Sequence, residues 1–512
     1  MSLRNDHAMS YSTHDISTGN ATLDEILGGG LTANRIYLLD GHPGTGKTTA
    51  AMQFLLDGRG KGEQGLYISL SETKEELLAI AASHSWSLEG IHIHELVDPF
   101  EALNTDSQYT MFQPSEVEMA ETTRKLLDEV ERLNPRRVVL DSLSELRLLA
   151  QNPLRYRRQI LALKQFFVGR DCTAILLDDK TSPDNDLQLQ SIAHGVISLD
   201  RMALDYGNER RRLRVIKFRG RRFIGGWHDF DIQQGGLKIY SRIGAAIHEL
   251  PPTRTTRLQS GNASLDELLG DGIQPGTSTL LLGPAGVGKS SCGTLFASTA
   301  CSRGERAIIY TFDESRATLT RRSAGLGMNL EKCLEQGLLE IHQVNPGEIS
   351  PGQFADTVRQ AVQPDANGRR ASVVVIDSLN GYLSAMPEER FLQMQMHELL
   401  AYLGSCGVAT FLVVAQHGML GTAMQTPVDA SYLADTVLLF RYFEAKGEIR
   451  QAISVVKKRD GGHERSIREF HMQDGGIRVG PPLRNFHGIL AGTPTFTGNV
   501  EDLISPANDG PS

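Results

Sequence analysis

Two stretches of the chain carry the residue types that hold phosphate: GHPGTGKT at Gly41–Thr48 and GPAGVGKS at Gly283–Ser290. Each follows a short apolar run and opens a helical pattern, the setting in which GxxxxGK[ST] is a phosphate loop. Glycines at 41, 44 and 46, and at 283, 286 and 288, let backbone N–H groups turn toward phosphate oxygens, and the start of the helix adds partial positive charge. The expected nucleotide contacts are Gly44, Thr45, Gly46, Lys47, Thr48 and Thr49 in the first copy. In the second they are Gly286, Val287, Gly288, Lys289, Ser290 and Ser291. Lys47 and Lys289 would reach the β- and γ-phosphates, and the hydroxyls of Thr48 and Ser290 would ligate Mg²⁺. A glycine-rich turn without ligand is the competing reading, and two copies in matched context weigh against it. Asp141 in VVLDSL and Asp377 in VVIDSL close apolar runs and suit the Walker-B anchor of the same site. A carboxylate capping the next element is the alternative.

Hydrolysis or transfer also requires a group that orients or deprotonates the attacking oxygen. The run after each phosphate loop ends in acid, LSET at Leu70–Thr73 and FDES at Phe312–Ser315. Glu72, Asp313 and Glu314 therefore fall at the carboxyl ends of strands, where α/β ligand sites gather; a helix-capping box would explain the same letters. Lys217 and Arg219 on one late strand, Lys457 and Arg459 on another, alternate so that each pair faces one way. They are either the cations that neutralise phosphate on a neighbouring subunit or an exposed salt-bridged edge. The Glu209–Arg214 run, ERRRLR, reads as a solvated hairpin or a subunit contact rather than a nucleic-acid site.

The elements that must position these groups occur twice. TGNATLDEILGGGL (Thr18–Leu31) and SGNASLDELLGDGI (Ser260–Ile273) lie 242 residues apart, as do the phosphate loops; the Asp141 and Asp377 motifs are 236 apart and the K-x-R motifs 240. Four landmarks in one order mean two homologous units, 15–247 and 258–490, with a Pro- and Thr-rich linker at 248–257 and a tail at 491–512 read as mobile. In the first unit Arg35–Asp40, Leu66–Leu70, Val138–Asp141, Ala174–Leu177, Val196–Leu199 and Leu213–Phe218 read as strands. Thr48–Leu56 and Thr122–Leu133 read as helices. Fully apolar strands separated by helices predict a mostly parallel α/β sheet covered on both faces. The last two strands, joined by a charged turn at Tyr206–Arg212, are expected to form a hairpin at the sheet edge.

Composition limits the partners. The 512 residues hold 52 Lys+Arg and 61 Asp+Glu, a formal net charge of −9, which argues against sequence-independent nucleic-acid binding. No apolar run reaches the roughly 18 residues of a membrane helix, and Met1–Asp15 lacks the apolar centre of a secretory signal. Five scattered cysteines form neither a disulfide framework nor a zinc pattern, so the expected compartment is the cytoplasm.

Tandem layout, TGNxxLD openings, two phosphate loops, acidic strand ends and K-x-R strands together resemble the circadian clock protein KaiC family of RecA-like ATPases. The likeness spans about 15–490 and extends to GNERRRLRVIKFRG (Gly207–Gly220), SIREF (Ser466–Phe470) and RNFHGILAGTP (Arg484–Pro494). It implies two tandem RecA-like P-loop NTPase domains in a double-ring homohexamer with ATP and Mg²⁺ between subunits. It further implies slow ATP hydrolysis in the N-terminal ring and Ser/Thr autophosphorylation in the C-terminal one. By position Glu72 matches the second member of the family's glutamate pair and Ser71 replaces the first, while Asp313–Glu314 replaces two glutamates. Lys217, Arg219, Lys457 and Arg459 match residues that reach the neighbour's nucleotide. The phosphoacceptor pair falls on Ser431–Tyr432, with Thr426 upstream in the same segment; the tyrosine hydroxyl lies farther from its backbone than a threonine's, so Ser431 is the expected single acceptor. A KaiB-like protein docking on the N-terminal ring is the implied partner. A KaiA-like one would act through the tail, whose sequence after Pro494 departs from the family pattern. Two other readings stay open at this point: a RecA-like DNA-dependent ATPase, and a signalling scaffold in which ATP sets assembly and one ring is largely inactive.

Overall fold

The computed structural model describes residues 14–96, 114–150, 152–180, 187–203, 207–242, 256–384, 392–416, 432–445, 447–490 and 495–496. The chain divides into two compact units, Met1–Arg242 and Ile243–Ser512. All of the 248–257 segment except Thr256 and Arg257, and all of the 491–512 tail except Thr495 and Phe496, lie outside the described residues. Those last two pair antiparallel with Phe486–His487.

Each unit is built on a nine-stranded sheet of the same order. In the first, the Ile36–Gly41 strand is central, because all six residues are buried and both neighbours, Thr173–Asp179 and Gly195–Met202, run parallel to it. Outward on one side follow Arg137–Asp141, Gly65–Ser69 and Ile91–Glu95, all parallel. The second unit places Ser278–Gly283 between Ala409–Ala415 and Thr436–Ala445, then Ala371–Asp377, Arg306–Thr311 and Leu339–Gln343. Separate apolar clusters cover the two faces of each sheet, which is why the strands read as unbroken apolar runs rather than alternating ones.

The expected hairpin forms, but not at an edge. Gly195–Met202 pairs antiparallel with Arg210–Phe218, and His228–Gln233 and Gly236–Tyr240 add two more antiparallel strands beyond it. The charged turn is also shorter than its composition implied, since Arg210, Arg211 and Arg212 already belong to the strand. A strand tolerates this arginine run because partners spread the charge. Asp200 accepts two bonds from Arg212 at 2.9 and 3.0 Å, and the Trp227 ring lies 4.3 and 4.6 Å beneath the guanidiniums of Arg212 and Arg214.

The repeated TGNxxLD motif proves to be a clasp. The Asn20 side chain caps the Ala21–Ile26 helix by accepting from Leu23 N–H at 3.1 Å, and its amide donates to Leu237 O on the outermost strand at 2.6 Å. Asn262 repeats both bonds, to Leu265 N–H at 3.1 Å and Ile477 O at 2.7 Å. Asp24 and Asp266 accept from the backbone N–H of Thr18 and Ser260 at 2.8 and 2.7 Å. The clasp ties the opening turn of each unit to the last strand of its own sheet.

Arg137 anchors the far end of the first sheet. It is 1% exposed, and its donors reach Glu63, Asp57 and the carbonyls of Ser17 and Phe54. Arg137→Ala strands two carboxylates and two carbonyls, so the first unit is expected to lose about 2–3 kcal/mol, read from its urea midpoint. A loss under about 1 kcal/mol would show that water reaching Asp57 and Glu63 replaces the cation.

Candidate functional site

At the carboxyl end of each central strand the chain turns through the phosphate loop into a 14-residue helix, Lys47–Gly60 or Lys289–Ser302. The helix caps are Gly46 at φ 97° and Gly288 at φ 99°, a left-handed backbone that glycine adopts freely, and neither supplies a side-chain cap. Space enforces the same choice: a Cβ would stand 2.8 Å from Ile232 Cδ1 at Gly46 and 2.6 Å from Phe470 Cε1 at Gly288. The first-turn N–H groups are thus left for an anion. Thr45 is turned inward, its hydroxyl donating to His42 O at 2.8 Å, and Val287 lies in the core; Thr49 and Ser291 are buried.

Lys47 Nζ donates to Gly41 O and His42 O at 2.9 and 3.0 Å and pairs with Asp179 at 2.7 Å. Thr48 Oγ1 donates to Asp141 Oδ2 at 3.3 Å, and the Tyr67 hydroxyl donates to the same oxygen at 2.5 Å. Burial raises the Asp141 carboxyl above its usual range against these two bonds. In the second unit Lys289 Nζ donates to Pro284 O at 2.5 Å, and burial raises the Asp377 carboxyl against the nearby Ser290 hydroxyl. Register aligns Asp179 with Gly41 and Ala415 with Gly283, so no acid fills the Asp179 position there. Burial accordingly lowers Lys289 to about 8, with Asp377 opposing. The peptides Asp141–Ser142 and Asp377–Ser378 are both cis.

The acids after the second parallel strand do not cap the following helix. Thr73 forms that capping box with Glu76, and Ser315 caps its own helix through Thr318 N–H. Glu72 and Glu314 are freed to face inward, each chain pinned by Ser69 or Thr311, whose hydroxyl accepts from the glutamate N–H and donates to its carbonyl. Glu72 Oε2 is buried with no hydrogen-bond partner, and burial, then the like charge of Asp141, lifts its carboxyl to about 7. Glu314 instead accepts from Arg322 at 2.9 and 3.2 Å, and Asp313 accepts from Ser378 at 2.8 Å. Ser71, beside Glu72, is exposed. Gly286, Gly288, Lys289, Ser290, Glu314 and Arg322 line a cavity of about 410 Å³, within the range of small-ligand sites.

The K-x-R pairs lie elsewhere. Lys217 is level with Val196, and through it with Leu38; the Arg219 N–H bonds to His194 O, and the His194 N–H to Ile36 O. Arg219 therefore sits roughly 16 Å along the sheet from Gly41, at the amino end of the parallel strands. Lys217 donates to the carbonyls of Gln190, Ser191 and Ala193 and Arg219 to Ser191, closing the C-terminus of the Leu187–Ile192 helix. Lys457 and Arg459 repeat the placement, bonding to Ala434 O and Asp435. Neither pair joins the phosphate loop of its own unit. Ser431 and Thr426 lie outside the described residues; Tyr432 is exposed.

Tyr67, Asp179 and Arg322 escaped sequence reasoning. Asp179 obeys the strand-end rule applied to Glu72, but the apolar run stopped the predicted strand at Leu177, two residues early. Arg322 emerges only when the copies are laid over each other, since 242 residues earlier stands Ile80. A separate titratable cluster already has its charge satisfied. His92 and His94 meet Glu129 closely enough to share one metal ion, yet Arg132 spans both Glu129 oxygens and holds that carboxyl at about 2.

Sheet order and the two crests define a tandem pair of RecA-like P-loop domains. The KaiC ATPase family matches both, over residues 16–243 and 258–484. The chain belongs to that family. The circadian clock oscillator protein KaiC of Parathermosynechococcus lividus is 26% identical over 93% of this chain and 87% of its own length. That of Synechococcus elongatus is 26% identical over 92% and 90%, and the circadian clock protein KaiC3 of Synechocystis sp. 25% over 95% of each. The chain is a KaiC-like ATP-binding protein. Among the described residues no helix is long and apolar enough to cross a membrane.

Asp141→Asn removes the like charge beside Glu72. The Glu72 titration midpoint, followed by its infrared carboxyl band, should then fall below about 7 yet stay above the usual carboxylate range, because burial is the larger cause. A midpoint that does not move would remove Asp141 from the account.

Proposed function

We propose that this chain hydrolyses ATP in its first unit and transfers phosphate from ATP to its own Ser431 in its second, as part of a timing or stress-signalling system. The observation that carries the reading is the duplicated crest: an uncapped helix start, a buried loop lysine and a hydroxyl–aspartate pair meet at one end of each sheet, as Thr48–Asp141 and Ser290–Asp377. These donors fit a nucleoside triphosphate with Mg²⁺. Thr48 and Ser290 would hold the ion, with Asp141 and Asp377 behind them, and the bound ion would neutralise charge on the β- and γ-phosphates. Lys47 must leave Asp179 to bind phosphate, whereas Lys289 has no ion-paired acid to leave among the described residues.

In the first unit Glu72 accepts a proton from water as its oxygen bonds to the γ-phosphorus. The bond from phosphorus to the β–γ bridging oxygen breaks, and the electron pair departs on ADP. In the second unit the Ser431 hydroxyl replaces water and Asp313 is the base. Lys217, Arg219, Lys457 and Arg459 serve a neighbouring copy's phosphates, a reading supported by their distance from their own loop. Self-association into a ring, a homohexamer by family likeness, is the assembly in which those cations would meet a neighbour's phosphates, and a KaiB-like protein is the partner the same likeness favours.

Lys47→Ala is expected to remove at least ~90% of phosphate release and leave autophosphorylation in place; Lys289→Ala should do the reverse. Normal autophosphorylation by Lys289→Ala would sink the division of labour. Phosphopeptide mapping of the full chain after incubation with Mg-ATP should place phosphate on Ser431, and phosphate confined to Thr426 or Tyr432 would overturn that assignment.

A further inference from the structure

We infer that Arg322 is a positioning residue that withholds Glu314 from water and so keeps the second unit a phosphotransferase, whereas Ile80 at the matching place leaves Glu72 free and the first unit hydrolytic. The inference deepens the function proposed above and rests on it.

The two crests agree in every backbone feature that aims the glutamate. Helices Lys74–Ser83 and Arg316–Gly325 begin at matching positions behind Thr73 and Ser315. Ser69 and Thr311 pin the preceding turn with the same pair of bonds. Both glutamates therefore leave the backbone in one direction, and what they meet is set seven residues into the helix.

In the second unit they meet Arg322, which engages three of its five N–H donors in the bonds described. Its Nε and Nη2 clasp the two oxygens of Glu314 at 3.2 and 2.9 Å, and its Nη1 donates to Ser291, next to the magnesium-side Ser290. A carboxylate with both oxygens in a bidentate pair is fixed in one orientation and turned to its partner, so it is badly placed to receive a proton from an attacking water. The pair lines the same cavity as Lys289 and Ser290, so it acts at the site itself. Asp313, which accepts only from Ser378 among the bonds described, remains for a protein hydroxyl.

In the first unit Ile80 packs against the apolar cluster below the sheet and offers no donor. Glu72 keeps a buried oxygen without a hydrogen-bond partner, near enough to Asp141 and Lys47 to feel both charges. One arginine-for-isoleucine difference thus separates a held acid from a free one.

The test exchanges the two residues in the full-length chain. In a Lys47→Ala background, Arg322→Ile should raise phosphate release by the second unit at least fivefold, with the Kd for ATP within twofold and a matching fall in the share of phosphate reaching protein. Arg322→Lys, which keeps the charge but not the two-point grip, should give a smaller rise and guards against misfolding of the isoleucine variant. In a Lys289→Ala background, Ile80→Arg should cut phosphate release at least tenfold at unchanged ATP affinity. Unchanged or lower release by both Arg322 variants, with ATP still bound, would overturn the inference and assign the guanidinium to phosphate. Failure of the Lys47→Ala parent to bind ATP would remove the proposed function, and the inference with it.

Discussion

Where the parallel strands end, charge has to be balanced out of bulk water, and the rest of each unit is arranged around that requirement. A loop lysine, a buried aspartate and a strand-end glutamate converge there because the backbone delivers them: a glycine-capped helix start, a strand terminus and a pinned turn. Burial penalises the charge on Glu72, Asp141, Lys289 and Asp377, and each feels a charged neighbour. The first unit answers with Asp179 against Lys47 and leaves Glu72 raised to about 7. The second gives Lys289 no ion pair among the described residues, lowers it to about 8, and sets its extra cation on Glu314. The same sheet order holds two different charge arrangements.

Duplication has been stricter with backbone than with side chains, for a steric reason. Gly46 and Gly288 cannot acquire a Cβ without striking a neighbouring side chain, and Asn20 and Asn262 must span from helix cap to outer strand. Positions 80 and 322 are only partly buried, Ile80 packing on the apolar cluster and Arg322 lining the cavity, so isoleucine and arginine both fit that helix face. Divergence collects where geometry permits it, and those are the places that set the chemistry.

Most of the fold was legible because its signals are local. Val138–Asp141 and Ala174–Leu177 read as buried strands from apolar run length alone, and the phosphate loops from glycine spacing. The last two strands of the first sheet were not, because HDFDIQ and GLKIY are short and half polar and take their structure from the hairpin they extend. At the site, Glu72 and Asp141 followed from the strand-end rule. Tyr67 did not, since a buried tyrosine in a strand looks like core until its hydroxyl is seen on Asp141. Arg322 lay hidden for a further reason: a helix residue shows which acid it serves only once the turn before it is folded.

The K-x-R strands carry the argument beyond one chain. Within each unit the phosphate loop occupies the carboxyl end of the parallel strands and the cation pair the amino end. A cation pair that serves phosphate from that position serves another copy's, with unlike surfaces in contact. Contacts of this head-to-tail kind close into a ring when the rotation per copy permits and run on as a filament when it does not. Lys217 argues for a preset surface: by spanning three carbonyls at the end of the Leu187–Ile192 helix, it is already oriented before any neighbour arrives. Phosphate at that edge would draw the ammonium from carbonyls to a full charge, a stronger bond, so nucleotide and assembly would be linked through the grip of this one side chain.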